Sequence, residues 1–273
     1  MGDVEMLAAA ALCQARSESR GHCFVCSKWM VRISDALLCL CALVLSTMAF
    51  AGVTAESTRV IFPSDLNEVA VLLVNANKYP VLVQTWMDDG GLDSTPDKAI
   101  SSFMSLPPVF RLEPSERRSL RIIFTGTAAL PTDRESVFWL NIHEVPPTEA
   151  VQGMQPEQQR LVVSMHTQMK VFYRPVKLAM PPEEAAGKLT FQWQQTGSKA
   201  AVKVSNPTPY YMTLTGVELL AGDKHQPLKG KMIPPFSTLP LEAEGQRPGG
   251  PIRVEFSWLD DSGNAQVTKT TLQ

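Results

Sequence analysis

Leu161-Val-Val-Ser-Met-His-Thr-Gln-Met-Lys-Val-Phe-Tyr-Arg-Pro175 is the stretch on which the fold turns. Leu161, Val163 and Met165 share one parity; Val162, Ser164 and His166 share the other. Successive side chains of a strand face opposite sides, so the three apolar residues form a stripe about 13 Å long at about 3.3 Å per residue. Such a stripe is either the core face of an ordinary last strand or an edge that offers apolar side chains to another chain. Tyr173-Arg174-Pro175 reads as a joint. Upstream, short apolar runs at 59–62, 68–77, 81–86, 110–112, 119–124, 137–142 and 161–172 are separated by turn chemistry such as Tyr79-Pro80, Asp88-Asp-Gly-Gly91 and Glu113-Pro114. Residues 119–124 and 137–142 alternate with period two, as half-buried strands do. About seven strands at this spacing predict a sandwich of immunoglobulin type.

Downstream of the joint a second set follows at 189–193, 200–204, 210–215, 217–220, 239–241, 252–258 and 266–271. Asn206-Pro-Thr-Pro209, Gly222-Asp223 and Asp260-Asp-Ser-Gly263 are its turns. The best helical candidate after the first fifty residues, 181–187, is too short to matter. The chain is therefore read as all-β, with immunoglobulin-like β-sandwich domains at 52–174 and 175–273. Its 273 residues suffice for two buried cores. With 44% hydrophobic and 19% charged residues it is not a disordered chain. A net charge of −2 argues against a protein built to bind nucleic acid or an anionic membrane.

Residues 1–51 read as a signal-peptide region. The apolar run 37–49 follows Lys28 and Arg32 and precedes Ala49-Phe50-Ala51, a small-x-small cleavage site. It is too short to span a bilayer, which takes about 20 helical residues, so no membrane insertion is expected once the signal is removed. Signal peptides run about 15–30 residues, which makes Met30 the expected true start. All five cysteines, Cys13, Cys23, Cys26, Cys39 and Cys41, precede the cleavage site. The processed chain thus reaches a compartment that permits disulfides and has no cysteine to form one. Cys23-Phe-Val-Cys26 has no second pair behind it and is a weak metal or redox signal.

Little else carries chemistry. His143, His166 and His225 are far apart in sequence, and a zinc site needs three or four convergent ligands. No nucleophile elbow, zincin helix, phosphate loop or dinucleotide fingerprint is present. No enzymatic activity, cofactor or metal is expected. Residues 146–159 form a long polar segment before the apolar stripe, and loops of this length are commonly mobile or functional.

Several strings in a fixed order carry a resemblance. They are Thr58-Arg-Val-Ile-Phe62, Phe110-Arg-Leu-Glu-Pro114, Leu130-Pro-Thr-Asp-Arg-Glu-Ser136 with Phe138-Trp-Leu-Asn141, Val145-Pro-Pro147, Lys170-Val-Phe-Tyr-Arg-Pro175, Ser205-Asn-Pro-Thr-Pro-Tyr-Tyr211 and Pro235-Phe-Ser237. The chain resembles the periplasmic chaperones of the chaperone–usher pilus pathway over essentially its whole mature length. The resemblance implies two immunoglobulin-like domains set at an angle, like a boomerang, with the working cleft between them. Partners would be pilus subunits, whose fold lacks a last strand, and the outer-membrane usher that receives the complex. Leu161, Val163 and Met165 would be the donated stripe. Arg59 and Lys170 would anchor the subunit's C-terminal carboxylate, and Glu135, Arg174 and Asp261 would form an interdomain salt bridge, with Asp260 adjacent to the last.

Lys170 has the opposite parity from Met165, so the resemblance requires a bulge or strong twist between them. The segment 148–169 is somewhat longer than in short-loop members and lacks the cysteine pair of the long-loop branch; the chain is placed in the short-loop branch. Phe62 stands where the family often has Tyr. A free chaperone of this kind could cover its exposed strand by self-dimerisation. The competing readings are a two-domain surface adhesin and a pilus subunit. A subunit would be one incomplete sandwich, whereas two complete strand sets are visible.

Overall fold

The computed structural model describes residues 52–91, 94–126, 129–147, 163–197 and 199–273. The leader, its cysteines and Leu161 lie outside them. From Ala51 to Gln273 the chain is one compact unit, and it holds two sandwiches.

In the first sandwich, one sheet runs in the order β1 (Val53–Ala55), β3 (Glu68–Asn75), β7 (Arg117–Phe124), β5 (Phe103–Leu106). The facing sheet runs β2 (Arg59–Pro63), β9 (Met165–Arg174), β8 (Ser136–Val145), β4 (Val81–Asp88), β6 (Val109–Leu112). β1 and β5 are additions to the seven runs expected from sequence; both are too short to show a period. Alternation decides the core: Val71 and Leu73, Val81 and Val83, Leu120 and Ile122, and Met169 and Val171 all point inward. An aromatic cluster closes the joint end, with Phe103 within 5.1 Å of the Phe62 ring and 4.7 Å of Phe138.

In the second sandwich, β10 (Thr190–Thr196), β11 (Lys199–Asn206) and β15 (Ser237–Ala243) face a sheet ordered β13 (Lys224–Lys229), β12 (Met212–Ala221), β16 (Arg253–Leu259), β17 (Ala265–Thr271). The short β14 (Met232–Ile233) also pairs with β12. Its core is a separate cluster around Phe191, Val202, Leu219, Leu241 and Phe256. The two runs expected at 210–215 and 217–220 are one strand. Gly216 interrupts the side-chain pattern but not the pairing: the register with β16 shifts between Leu214 and Gly216 and then continues, which is a bulge. The helical candidate is two 3-10 turns, Pro182–Glu184 and Ala186–Lys188.

Each sandwich uses the same device at the end of a central strand. The buried Asn75 side chain donates to the carbonyls of Tyr79, Leu112 and Glu113 and accepts from the Asn77 N–H. Asn206 donates to Tyr210, Ile233 and Pro234 and accepts from the Thr208 N–H. A buried amide that satisfies several backbone carbonyls fixes the turn that follows it. In the second sandwich that turn carries Tyr210 and Tyr211 to the joint.

Candidate functional site

β9 is antiparallel to β8 along its whole length, from Glu144↔Met165 to Ser136↔Tyr173. β2 runs parallel to it but covers only Lys170 to Arg174. Among the described residues, the edge from Met165 to Met169 therefore has a strand on one side only. The first half of the strand is a sheet edge and the second half is interior. Val163 is 61% exposed and Met165 44% exposed, large values for apolar side chains. Of the expected stripe, Leu161 lies outside the described residues.

The pairing of β9 with β8 is unbroken from Met165 to Tyr173. The bulge expected between Met165 and Lys170 is absent: β8 pairs with every residue of that segment in one continuous register. Met165 has the parity of Met169 and Val171, which pack inward, but is itself exposed. His166, Gln168, Lys170 and Phe172 share the opposite face. The apolar stripe and the lysine thus address two different faces of one straight strand.

The parallel register sets Arg59 directly beside Lys170. Arg59 is buried; its Nη1 donates to the Leu259 carbonyl at 3.3 Å, its Nε has no hydrogen-bond partner, and its guanidinium lies 5.8 Å from the Phe172 ring. The Lys170 ammonium lies 4.8 Å from the Trp139 ring, on the neighbouring strand. Among the described residues no carboxylate comes within 4.0 Å of either cation. Burial pulls the Lys170 ammonium below its ordinary value, and the Arg59 charge pulls it further. Burial also lowers the Arg59 guanidinium, against the pull of Asp261, Asp260 and Glu135. These are two adjacent, partly desolvated cations with no carboxylate within bonding distance: a carboxylate placed between them would accept charge-assisted hydrogen bonds from both.

Arg59 lines a cleft of about 240 Å³ together with Phe172, Arg174, Tyr211, Trp258 and Asp261. Lys170 stands outside it, toward the open edge of β9. The floor of the cleft is an ion network across the two sandwiches. Arg174 Nε donates to Glu135 Oε1 at 2.7 Å, while Nη1 and Nη2 donate to the two oxygens of Asp261 at 2.6 and 2.7 Å. Glu135 Oε2 accepts from the Tyr211 N–H at 2.8 Å. Burial pushes the Glu135 carboxyl up, against the pull of Arg174 and the Tyr211 N–H. Burial alone would lower the Arg174 guanidinium, but the Asp261 hydrogen bond and the Glu135 charge hold it above its usual value. Asp260, the adjacent acid, instead caps its own turn through the Asn264 N–H at 2.8 Å and the Gln266 side chain at 2.9 Å.

Sequence reasoning missed three contacts here. Trp139 is the platform under Lys170. Phe172 packs on Tyr211 across the joint, with ring centroids 5.7 Å apart. Arg134 stacks on Phe236 at 4.9 Å. Trp139 lies in a run that alternates with period two, but the identity of its partner needed the register. His143 and His166, distant in sequence, are cross-strand partners with rings 6.2 Å apart. His166 Nε2 is bonded to Asn141 Oδ1 at 2.9 Å, and among the described residues no group of three metal-ligating side chains forms.

Residues 52–179 match the family of pili and flagellar-assembly chaperones, PapD N-terminal domain, and residues 184–270 match the pili assembly chaperone PapD C-terminal domain. The chain is 35% identical over 233 residues to the probable fimbrial chaperone YadV of Escherichia coli, covering 85% of this chain and 94% of that one. It is 35% identical over 243 residues to the chaperone protein FimB/FhaD of Bordetella pertussis, covering 87% and 95%. The crystal structure of YadV superposes with a TM-score of 0.68 at 36% identity, over 81% of this chain and 99% of that one. A chain from the complex of the Salmonella enterica SafA pilin with the SafB chaperone superposes with a TM-score of 0.66 at 31% identity, over 83% and 99%. A two-sandwich chain with this sequence and this cleft belongs to the PapD family of pilus-assembly chaperones.

Proposed function

We propose that the protein is a non-enzymatic periplasmic chaperone that binds a pilus subunit by lending it β9. The observation that carries this is a free strand edge, Met165 to Met169, that ends beside two cations without an anion. A subunit lacking its last strand exposes unpaired backbone and core, an aggregation hazard. Laid on the subunit, the edge supplies the backbone hydrogen bonds. Leu161, Val163 and Met165 fill the groove on one face.

The geometry also sets the direction of the guest. A strand added beside Met165–Met169 abuts the start of β2, where Arg59 sits. For its terminal carboxylate to meet Arg59 and Lys170, it must run parallel to β9. The cations then act as an end stop. A slip of one residue would turn every side chain to the wrong face, and it would also pull the carboxylate off the anchor. Glu135, Arg174 and Asp261 tie the second sandwich to the first beside this stop.

The capped subunit is then passed to an outer-membrane usher. Among the described residues no helix is long and apolar enough to cross a membrane. The test is co-expression of the tagged full chain with the pilus subunits encoded beside it. Wild type should co-purify with soluble subunit from the periplasm, and Arg59→Ala or Lys170→Ala should not, although each variant stays folded. Soluble subunit accumulating equally with either variant would mean that the anchor is elsewhere.

A further inference from the structure

The side chain of Glu144 is only 5% exposed as a residue and belongs to no part of the cleft. It sits near the end of β8, opposite Met165. Its Oε2 accepts from the Val53 N–H at 2.6 Å and its Oε1 from the Asn77 side-chain amide at 2.6 Å. Among the described residues no lysine, arginine or histidine nitrogen lies within 4.0 Å of it. A buried carboxylate with two neutral donors and no cation is costly, because desolvation of the charge is not matched by an opposite one.

What lies against it is the first described residue. The Gly52 N–H donates to Asn77 Oδ1 at 2.9 Å, and the Gly52 carbonyl accepts from the Ala76 N–H at 3.0 Å. Val53, whose N–H meets Glu144, is the next residue, one peptide step of about 3.8 Å away. Gly52 has φ +104°, and a Cβ there would lie 3.0 Å from Met165 Sδ and 3.4 Å from Glu144 Oε2. Only a glycine fits so close to the start of β9 in that conformation.

We propose that Glu144 and Asn77 form a receptor for the α-ammonium group of the chain's own processed N terminus. Hydrolysis of the Ala51–Gly52 bond adds water across it. Ala51 leaves with a carboxylate, and Gly52 keeps an amino group that is protonated at neutral pH. That group arises on the nitrogen already bonded to Asn77, and its extra protons are free for Glu144. Processing thus supplies the cation that the buried carboxylate lacks. The ion pair seals the beginning of β1 under Met165, at the end of the strand proposed for donation. The proposal rests on cleavage after Ala51, as the signal-peptide reading has it, and its chemistry is tested apart from that cleavage.

The test compares two purified chains, one beginning at Gly52 and one retaining Ala49-Phe50-Ala51 in front, each with Glu144 and with Glu144→Gln. Residues from Ala51 onward form a compact unit of their own, so both chains contain the whole fold. Urea unfolding at neutral pH gives the folded-to-unfolded ratio. With Glu144, the three extra residues should lower it about tenfold, as expected for loss of one charge-assisted bond. With Glu144→Gln they should change it less than about twofold, since a neutral amide gains little from the ammonium. An equal effect in the two backgrounds, or none in either, overturns the pairing. Mass spectrometry of the protein exported from the full chain should show a start at Gly52; any other start would overturn the role of processing while leaving the unfolding result to judge the pairing.

Discussion

Replacing Arg174 by methionine keeps most of the side-chain volume and removes the cation that holds an acid from each sandwich. The two acids it holds are not equivalent: the Glu135 side chain is 2% exposed and that of Asp261 46% exposed. Asp261, once released, is solvated, and an exposed pair is worth about 0–1 kcal/mol. Glu135 stays buried with only the Tyr211 N–H for company. Breaking a buried pair on one side costs about 3–5 kcal/mol, because the remaining charge is left uncompensated. Arg174→Met should therefore cost about that much, and Asp261→Asn about 1 kcal/mol or less. Urea unfolding at pH 7 reads the difference as a fall in midpoint of about 1–2 M for Arg174→Met, with m near 2–3 kcal/mol/M. Adding Glu135→Gln to Arg174→Met should restore more than half of the loss. The burial that raises the Glu135 carboxyl also gives a sign for pH. A folded-state value above the unfolded one means the folded chain binds the proton more tightly, so stability rises as pH falls through the folded value and levels off below the unfolded one, about 4.3. Arg174→Met should accordingly regain stability between pH 7 and about 4.5, where the lone carboxyl is protonated. A double variant no more stable than Arg174→Met, with no recovery in acid, would refute the argument that uncompensated charge on Glu135 is the cost.

Three further outcomes follow from the site. Subunit capture should weaken as pH rises toward the Lys170 value, which lies below that of an ordinary lysine; Lys170→Arg should move that loss to higher pH, measured by pull-down across an alkaline series. Val163→Asp should reduce subunit capture at least tenfold while shifting the unfolding midpoint little, since Val163 is exposed in the free protein; equal losses in pull-down and urea assays would return the stripe to an ordinary core face. Gly90→Ala should destabilise the first sandwich by about 1–3 kcal/mol, because φ there is +99° and the new Cβ would overlap the Trp139 indole. Loss of subunit binding should accompany it if Trp139 positions Lys170, and the Trp fluorescence of the folded variant reports the displaced ring.

The period of two was enough to find most strands, because in a sandwich each strand has one wet face and one dry face. It failed where a strand was too short to show a period, at Val53–Ala55 and Phe103–Leu106, where a strand is mostly polar, at Lys224–Lys229, and where Gly216 sat at a bulge inside β12. The two cations of the proposed anchor were legible only through the resemblance: nothing in the sequence spacing of Arg59 and Lys170 brings them together, and it is the parallel register of β2 on β9 that does. The parity conflict between Met165 and Lys170 arose from assuming one working face. Glu144 left no signal at all, since a lone acid next to Val145-Pro-Pro147 looks like a solvated strand end.

The half-edge, half-interior character of β9 bears on the thermodynamics of handing over a strand. A free peptide that adopts an extended conformation on binding loses backbone freedom of roughly 1–2 kcal/mol for every residue it orders. Here Lys170 to Arg174 are already locked between two neighbours, and Met165 to Met169 are held by β8. If Met165 to Met169 is the segment lent, its ordering entropy is spent when the chaperone itself folds, so little of it opposes capture. For a lent β9 the same stiffness would act in reverse at release: held by β8, the strand would not crumple to let go, and a competing strand would have to displace it from an end of the paired segment.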